Sequence, residues 1–139
     1  MINNFRGKFF FLSNFYSADV KYDGLLYKNN EAAFQAQKTL DLRERKTFAY
    51  MSPSEAKKAG RHVKLRPDWE TVKYDYMLDI CRAKFAQNPA LAEQLIATGD
   101  EELIEGNDWG DKTWGMVNGE GQNLLGKILM QVRDELRKD

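Results

Sequence analysis

An acid, an amide and an amine recur along one short stretch of this 139-residue chain: Glu31, Gln35 and Lys38. If the stretch is helical, a rotation of about 100° per residue brings the three within roughly 60° of one another. Spacing alone reads as a solvated helix face. Read as chemistry, it is a carboxylate for acid/base work beside an amine nucleophile and a hydrogen-bonding amide. A second set lies further on, where Glu105, Asp108 and Asp111 flank Trp109 and Trp114. A carboxylate packed against an indole loses hydration, which suits a general acid or base near neutral pH. Asp108 and Asp111 read equally well as turn residues that bond their own backbone.

Residues 109–129 concentrate the unusual composition. Trp109-Gly110 and Trp114-Gly115, with Gly119, Gly121 and Gly126, lead into an amphipathic helix. Glycine lets a backbone come close to a ligand, and an indole offers a face on which a base can stack. At the start of that helix, Gly121-Gln122-Asn123 would present free N–H groups to a phosphate. Other signals are weaker. Asn14 and Phe15, within Ser13-Asn14-Phe15-Tyr16, suit the edge of a base or ribose, and an Asx turn explains them as well. Trp69, in the first turn of a helix, is a core residue by position. His62 sits in the basic stretch 57–64, which reads as solvated surface or, alternatively, as a patch for phosphate or nucleic acid. Cys81 reads as a small buried hydrophobe.

The elements that must position these residues are mostly helical. Phe9, Phe10, Phe11 and Leu12 suggest a short buried strand, and Asp23-Gly24 suggests a hairpin turn between apolar runs. Asn29 or Asn30 caps a helix expected to reach about Leu42, with Ala33, Ala36 and Leu40 toward the core. A short helix is expected over 43–50. Ser52-Pro53-Ser54-Glu55 is a capping box that opens a helix to about Gly60. Asp68 caps a longer helix to about Phe85, with Val72, Tyr76, Ile80 and Ala83 inward. Asn88-Pro89 opens another helix and Thr98-Gly99 closes it. The last helix is expected over 121–136, with a stripe of Leu124, Leu125, Ile128, Leu129, Val132 and Leu136. This is a mainly α (α+β) fold, a single domain over 1–139 with a short β element near the N-terminus.

Composition narrows the function. Twenty-one basic and 21 acidic residues give a formal net charge of zero, which argues against a bare electrostatic grip on nucleic acid. One cysteine and one histidine argue against a Cys/His metal site; an all-carboxylate site for a hard cation stays open, although nothing demands a metal and no cofactor is expected. No apolar run reaches the length of a membrane span, and a soluble cytoplasmic protein is the expectation.

Several segments occur in an order that resembles the YbiA-like, or NADAR, superfamily. They are Phe11-Leu12-Ser13-Asn14-Phe15-Tyr16, Glu31-Ala32-Ala33-Phe34-Gln35-Ala36-Gln37-Lys38, Ser52-Pro53-Ser54-Glu55-Ala56-Lys57 and Arg66-Pro67-Asp68-Trp69. They continue through Ala83-Lys84-Phe85, Thr98-Gly99-Asp100, Leu103-Ile104-Glu105, Asp111-Lys112-Thr113-Trp114-Gly115 and Gly121-Gln122-Asn123-Leu124-Leu125-Gly126. The resemblance implies a small, mostly helical fold and N-glycosidase activity. The substrates it implies are early riboflavin-pathway intermediates (ribosylamino-pyrimidine phosphates) or ADP-ribose attached to guanine in nucleic acid. It places catalytic roles on Glu31, Trp69, Asp111 and Trp114, with Lys38 implicated in the ADP-ribose branch. Asn14, Phe15, Gln35, Glu105, Trp109, Gly115 and Asn123 are the expected substrate-binding residues. The family often has His after the motif glutamate, and Ala32 stands there instead, so acid/base work falls to the carboxylates and Lys38. A non-catalytic NAD- or ADP-ribose-binding module is the competing reading. The oligomeric state is not legible.

Overall fold

Asp23 and Gly24 both have positive φ, 48° and 84°, and turn the chain back on itself. In the computed structural model, which describes residues 1–138, this turn joins β1 (Ser17–Tyr22) to β2 (Leu25–Asn29) in an antiparallel pair. Val20 faces Tyr27 in this register, and both are fully buried. The chain forms two compact units, Asn14–Asn88 and, separately, Met1–Ser13 with the chain from Pro89 onward.

In the first unit, Asn29 ends the hairpin and caps α1 (Asn30–Ala36), its side chain accepting from the Ala32 N–H at 2.8 Å. Every residue of α1 is buried. The expected solvated face is therefore absent, and Leu40, expected in the core, is exposed. The helix also stops at Ala36 instead of continuing to Leu42. Tight i→i−3 bonds close it at Gln37 and Lys38, and the Arg66 N–H takes the Lys38 carbonyl that a further turn would need. Asp41 then caps α2 (Leu42–Thr47) through the Arg43 and Glu44 N–H groups, and a 3-10 turn follows over Phe48–Tyr50. The Ser52/Glu55 capping box opens α3 (Pro53–Ala59) as expected.

The helix α4 (Trp69–Gln87) buries Trp69, Met77, Ile80, Cys81, Lys84 and Phe85. This corrects the expected inward face: Val72, Tyr76 and Ala83 are only half-buried. The correct stripe has the i, i+3, i+4 spacing of a buried face, but it contains a lysine. Burial pulls the Lys84 ammonium down to about 8 from 10.5. The unfolded chain then holds more protons than the native one from about pH 8 to 10.5, so native stability rises with pH across that window. Burial pushes the neighbouring Cys81 thiol up to about 12, and this opposes the rise above pH 9. Between pH 7 and 9, urea unfolding should show a gain of about 1 kcal/mol for the native protein that is missing in Lys84→Met. Equal pH slopes in the two proteins would remove Lys84 as the source.

In the second unit the expected strand over residues 9–12 is instead part of a 3-10 helix, Gly7–Leu12, that buries Phe11 and Leu12. Periodicity cannot separate the two for so short an apolar run. Pro89 opens α5 (Pro89–Ala97), and Gly99 (φ 68°) ends that turn of chain. Ile2 bridges to Leu103, and α6 (Leu124–Arg137) buries Leu125, Gly126, Ile128, Leu129 and Val132. It begins three residues later than expected, because Gly121 and Asn123 both adopt positive φ. Among the described residues, no helix is long and apolar enough to cross a membrane.

Candidate active site

In the unit Asn14–Asn88, the start of α1 is fixed from several sides. The Glu31 N–H donates to the Asn14 carbonyl at 3.0 Å, and Asn30 Nδ2 donates to Asn14 Oδ1 at 3.2 Å. Asn14 Nδ2 in turn donates to the Met77 sulfur at 3.4 Å. The Asn14 side chain is thus engaged at both ends within the fold, where it was expected to meet substrate. Phe15 is half-buried, with the Lys57 ammonium 5.9 Å from its ring centre.

Glu31 and Gln35 are 8% and 7% exposed, and Gln35 Nε2 donates to Glu31 Oε1 at 2.9 Å. One turn on, Lys38 is half-buried with its ammonium 6.0 Å from the Trp69 ring centre. Burial lowers the pKa of Lys38, the Arg61 and Lys73 cations lower it further, and Glu31 and Glu70 act against them. Trp69 packs on Phe34 (centroids 5.1 Å apart) and stacks on Tyr76 (6.4 Å, 19° between planes). Glu31, Gln35, Lys38 and Trp69 therefore come together: a buried carboxylate held by an amide, then an amine biased toward its neutral form over an indole.

Arg66 has a structural part that sequence reasoning missed. Its guanidinium forks onto Asp68 (2.7 and 3.1 Å) and reaches the Tyr76 hydroxyl (2.9 Å) and the Gln37 carbonyl (3.4 Å). Asp68 sits at the N-cap of α4 but makes no side-chain cap bond, since Arg66 holds its carboxylate. The signal was present in Arg66-Pro67-Asp68-Trp69: an arginine two residues from an acid is suited to a bidentate pair.

In the other unit, Asp111 Oδ1 accepts from the N–H groups of Thr113 (3.0 Å) and Trp114 (2.9 Å). That is the turn geometry weighed for this residue. Asn107 braces the same loop, accepting from the Asp111 N–H at 3.0 Å and donating to its carbonyl at 2.9 Å and to Glu105 Oε2 at 3.0 Å. Gly115 was expected to give a ligand room. What approaches it is Glu105: a Cβ at Gly115 would lie 1.8 Å from Glu105 Oε2. Trp114 is half-buried, whereas Trp109 is 54% exposed with the Arg6 guanidinium 6.0 Å from its ring.

Two of the three N–H groups of the phosphate cradle expected at 121–123 are already committed. The N–H groups of Gln122, Asn123, Leu124 and Leu125 donate to the carbonyls of Lys112, Gly115, Thr113 and Trp114. The Asn123 side chain is likewise used internally, accepting from the Glu105 N–H and donating to the Leu103 carbonyl, both at 2.9 Å. A glycine-rich loop folded onto its own helix start satisfies these groups without a ligand. Among the described residues, no group of three His, Cys, Asp or Glu side chains is placed to hold a metal ion.

Comparison with known proteins bears on this geometry. The NADAR domain model matches residues 3–137. An N-glycosidase, YbiA, from Escherichia coli (strain K12) is 39% identical over 128 residues, covering 89% of this chain and 79% of that protein. A riboflavin biosynthesis protein of Vibrio vulnificus is 39% identical over 132 residues, covering 92% of this chain but 36% of that one. An N-glycosidase of Nostoc punctiforme is 36% identical over 132 residues, covering 90% and 84%. The NMR structure of the E. coli protein YbiA matches with a TM-score of 0.86 at 34% identity, over 99% of this chain and 88% of that one.

Proposed function

We propose that this chain, which belongs to the NADAR domain family, is an N-glycosidase that hydrolyses the C1′–N bond of a ribosylamine-type nucleotide. The observation that carries the reading is the buried Glu31–Gln35 pair, one helical turn from a Lys38 biased toward its neutral form. Relatives named as N-glycosidases and as a riboflavin biosynthesis protein support it.

The chemistry follows from these groups. A ribosylamine is an N,O-acetal. Protonating its leaving nitrogen weakens the C1′–N bond directly. Protonating its ring oxygen opens the ring to an imine, and water attacks its C1′ before the amine leaves. Glu31 in its acid form supplies that proton, and as a carboxylate it activates the water that attacks C1′. In a second route the neutral Lys38 amine attacks C1′, the base leaves with a proton, and water releases the sugar from the resulting imine. Trp69 borders the amine with its indole ring, 6.0 Å from Lys38 Nζ. Asp111 and Trp114 are proposed as functional residues of their own unit, on the family motif that they match.

The test is a parallel assay, read by mass spectrometry, on 5-amino-6-ribosylaminouracil phosphate and on a guanine-ADP-ribosylated oligonucleotide. Release of pyrimidine and ribose phosphate is the expected result. Release of ADP-ribose alone would move the substrate to modified nucleic acid. Cleavage of neither by folded protein would leave a binding module.

A further inference from the structure

Gly60 follows α3 directly and closes it, and a helix-ending glycine is ordinarily explained by left-handed backbone. That explanation fails here. Gly60 has φ −60° and ψ −19°, a conformation open to any residue. What the position forbids is a side chain. A Cβ at Gly60 would lie 2.0 Å from Gln35 Oε1 and 2.8 Å from Gln35 Cδ, closer than any real contact. The Gly60 N–H is already committed to the Ala56 carbonyl at 2.9 Å, so it gives Gln35 nothing. Gln35 Oε1 is itself buried without a hydrogen-bond partner. A buried amide oxygen pressed against bare backbone is unfavourable by itself. The other end of the amide explains the orientation: Nε2 is the donor that meets Glu31 Oε1 at 2.9 Å. Rotating the carboxamide to relieve its oxygen would set oxygen against oxygen at Glu31.

We infer that Gly60 and Gln35 are positioning residues for Glu31, with the bare backbone of Gly60 acting as the stop against which the Gln35 amide is held toward the carboxylate. Gln35 then acts through Glu31 and not by binding substrate. The inference rests on Glu31 carrying the chemistry proposed above. An added methyl at position 60 is most easily accommodated by displacing the end of Gln35, so the fold survives while the amide leaves Glu31.

The experiment is a double-mutant cycle with 5-amino-6-ribosylaminouracil phosphate as substrate. Gly60→Ala should lower kcat by ~10- to 100-fold with KM nearly unchanged, the scale of a misplaced catalytic group. Gln35→Ala should do the same. In the Gln35→Ala background the nearest remaining atom to a position-60 methyl is the Ala56 carbonyl oxygen, 3.3 Å away. A shift of a few tenths of an ångström relieves that contact, and adding Gly60→Ala should lower kcat no further. An equal loss in both backgrounds would overturn the inference, since a fault in α3 itself does not depend on Gln35. A raised KM with unchanged kcat in Gln35→Ala would also overturn it, in favour of substrate binding. Gln35→Asn serves if Gly60→Ala fails to fold: it draws the amide back by one methylene without adding bulk, and the same kcat loss is expected. A substrate-free readout separates the two levels of the argument. The Gln35 side-chain NH₂ resonance, assigned by its loss in Gln35→Ala, should move in Gly60→Ala and in Glu31→Gln. If it moves while Glu31→Gln stays fully active, the contact stands and the catalytic reading of Glu31 falls. If Gly60→Ala leaves it in place, the positioning device falls.

Discussion

Glu31→Gln should lower kcat/KM by ~10³-fold while leaving the protein folded and able to bind ligand. The side chain is nearly isosteric, and the new amide oxygen still accepts from Gln35 Nε2, so the packing around α1 is retained. What is lost is the proton that a carboxyl group carries, at a cost of about 4 kcal/mol of transition-state stabilisation. Ligand affinity, measured by calorimetry, should change far less than turnover, because a proton carrier acts mainly in the transition state. Thermal unfolding should stay close to that of the native protein, since the side chain keeps its volume and its contact with Gln35. Retention of more than a tenth of the native kcat/KM would take Glu31 out of the mechanism. Lost turnover with an intact ligand affinity would also separate an enzyme from a binding module of the same fold.

Borohydride added during turnover should leave a covalent sugar adduct on the peptide that carries Lys38. Lys38→Arg should abolish the adduct and lower kcat by ~10²-fold. An amine attacks only when unprotonated. Lys38 reaches that state below the ordinary lysine range because burial outweighs the attraction of Glu31 and Glu70, with Arg61 and Lys73 adding to the effect. The rate of adduct formation should therefore rise with pH and level off before an exposed lysine would. Arginine keeps the positive charge but cannot lose its proton, so it preserves electrostatics while removing the nucleophile. Lys84, the other amine with a lowered pKa, is the internal control: its peptide should remain unmodified. Full activity with no adduct would rule out the imine route and leave the work to carboxylate and water.

Much of this protein was legible in its sequence, and the legible parts share a physical cause. The Asp23-Gly24 hairpin, the Ser52/Glu55 capping box, the start at Pro89 and the Asn29 cap are all local events. Each is settled by a few neighbouring residues and their backbone preferences. The spacing of Glu31 and Gln35 was likewise readable, because both lie on α1, whereas Lys38 follows two residues after its end. The order of motifs pointed to the family, and the family match over residues 3–137 agrees.

What failed were the inferences about which distant segment covers a polar group. A polar stripe on α1 looked solvated, yet the whole helix is buried. Lys84, absent from the inward face expected for α4, lies inside, 1% exposed. The N–H groups of Gln122 and Asn123 looked free for a phosphate, and the preceding loop had already claimed them. Gly60 and Gly115 looked like punctuation and ligand room, while their missing side chains make space for Gln35 and Glu105. Local propensity reports the backbone state of a residue. It does not report which distant segment packs against it, and desolvation, hydrogen-bond satisfaction and steric contact all depend on that partner. The sequence by itself determined which groups are available for chemistry, and only the tertiary structure decided which of them are dry, held and biased in their charge.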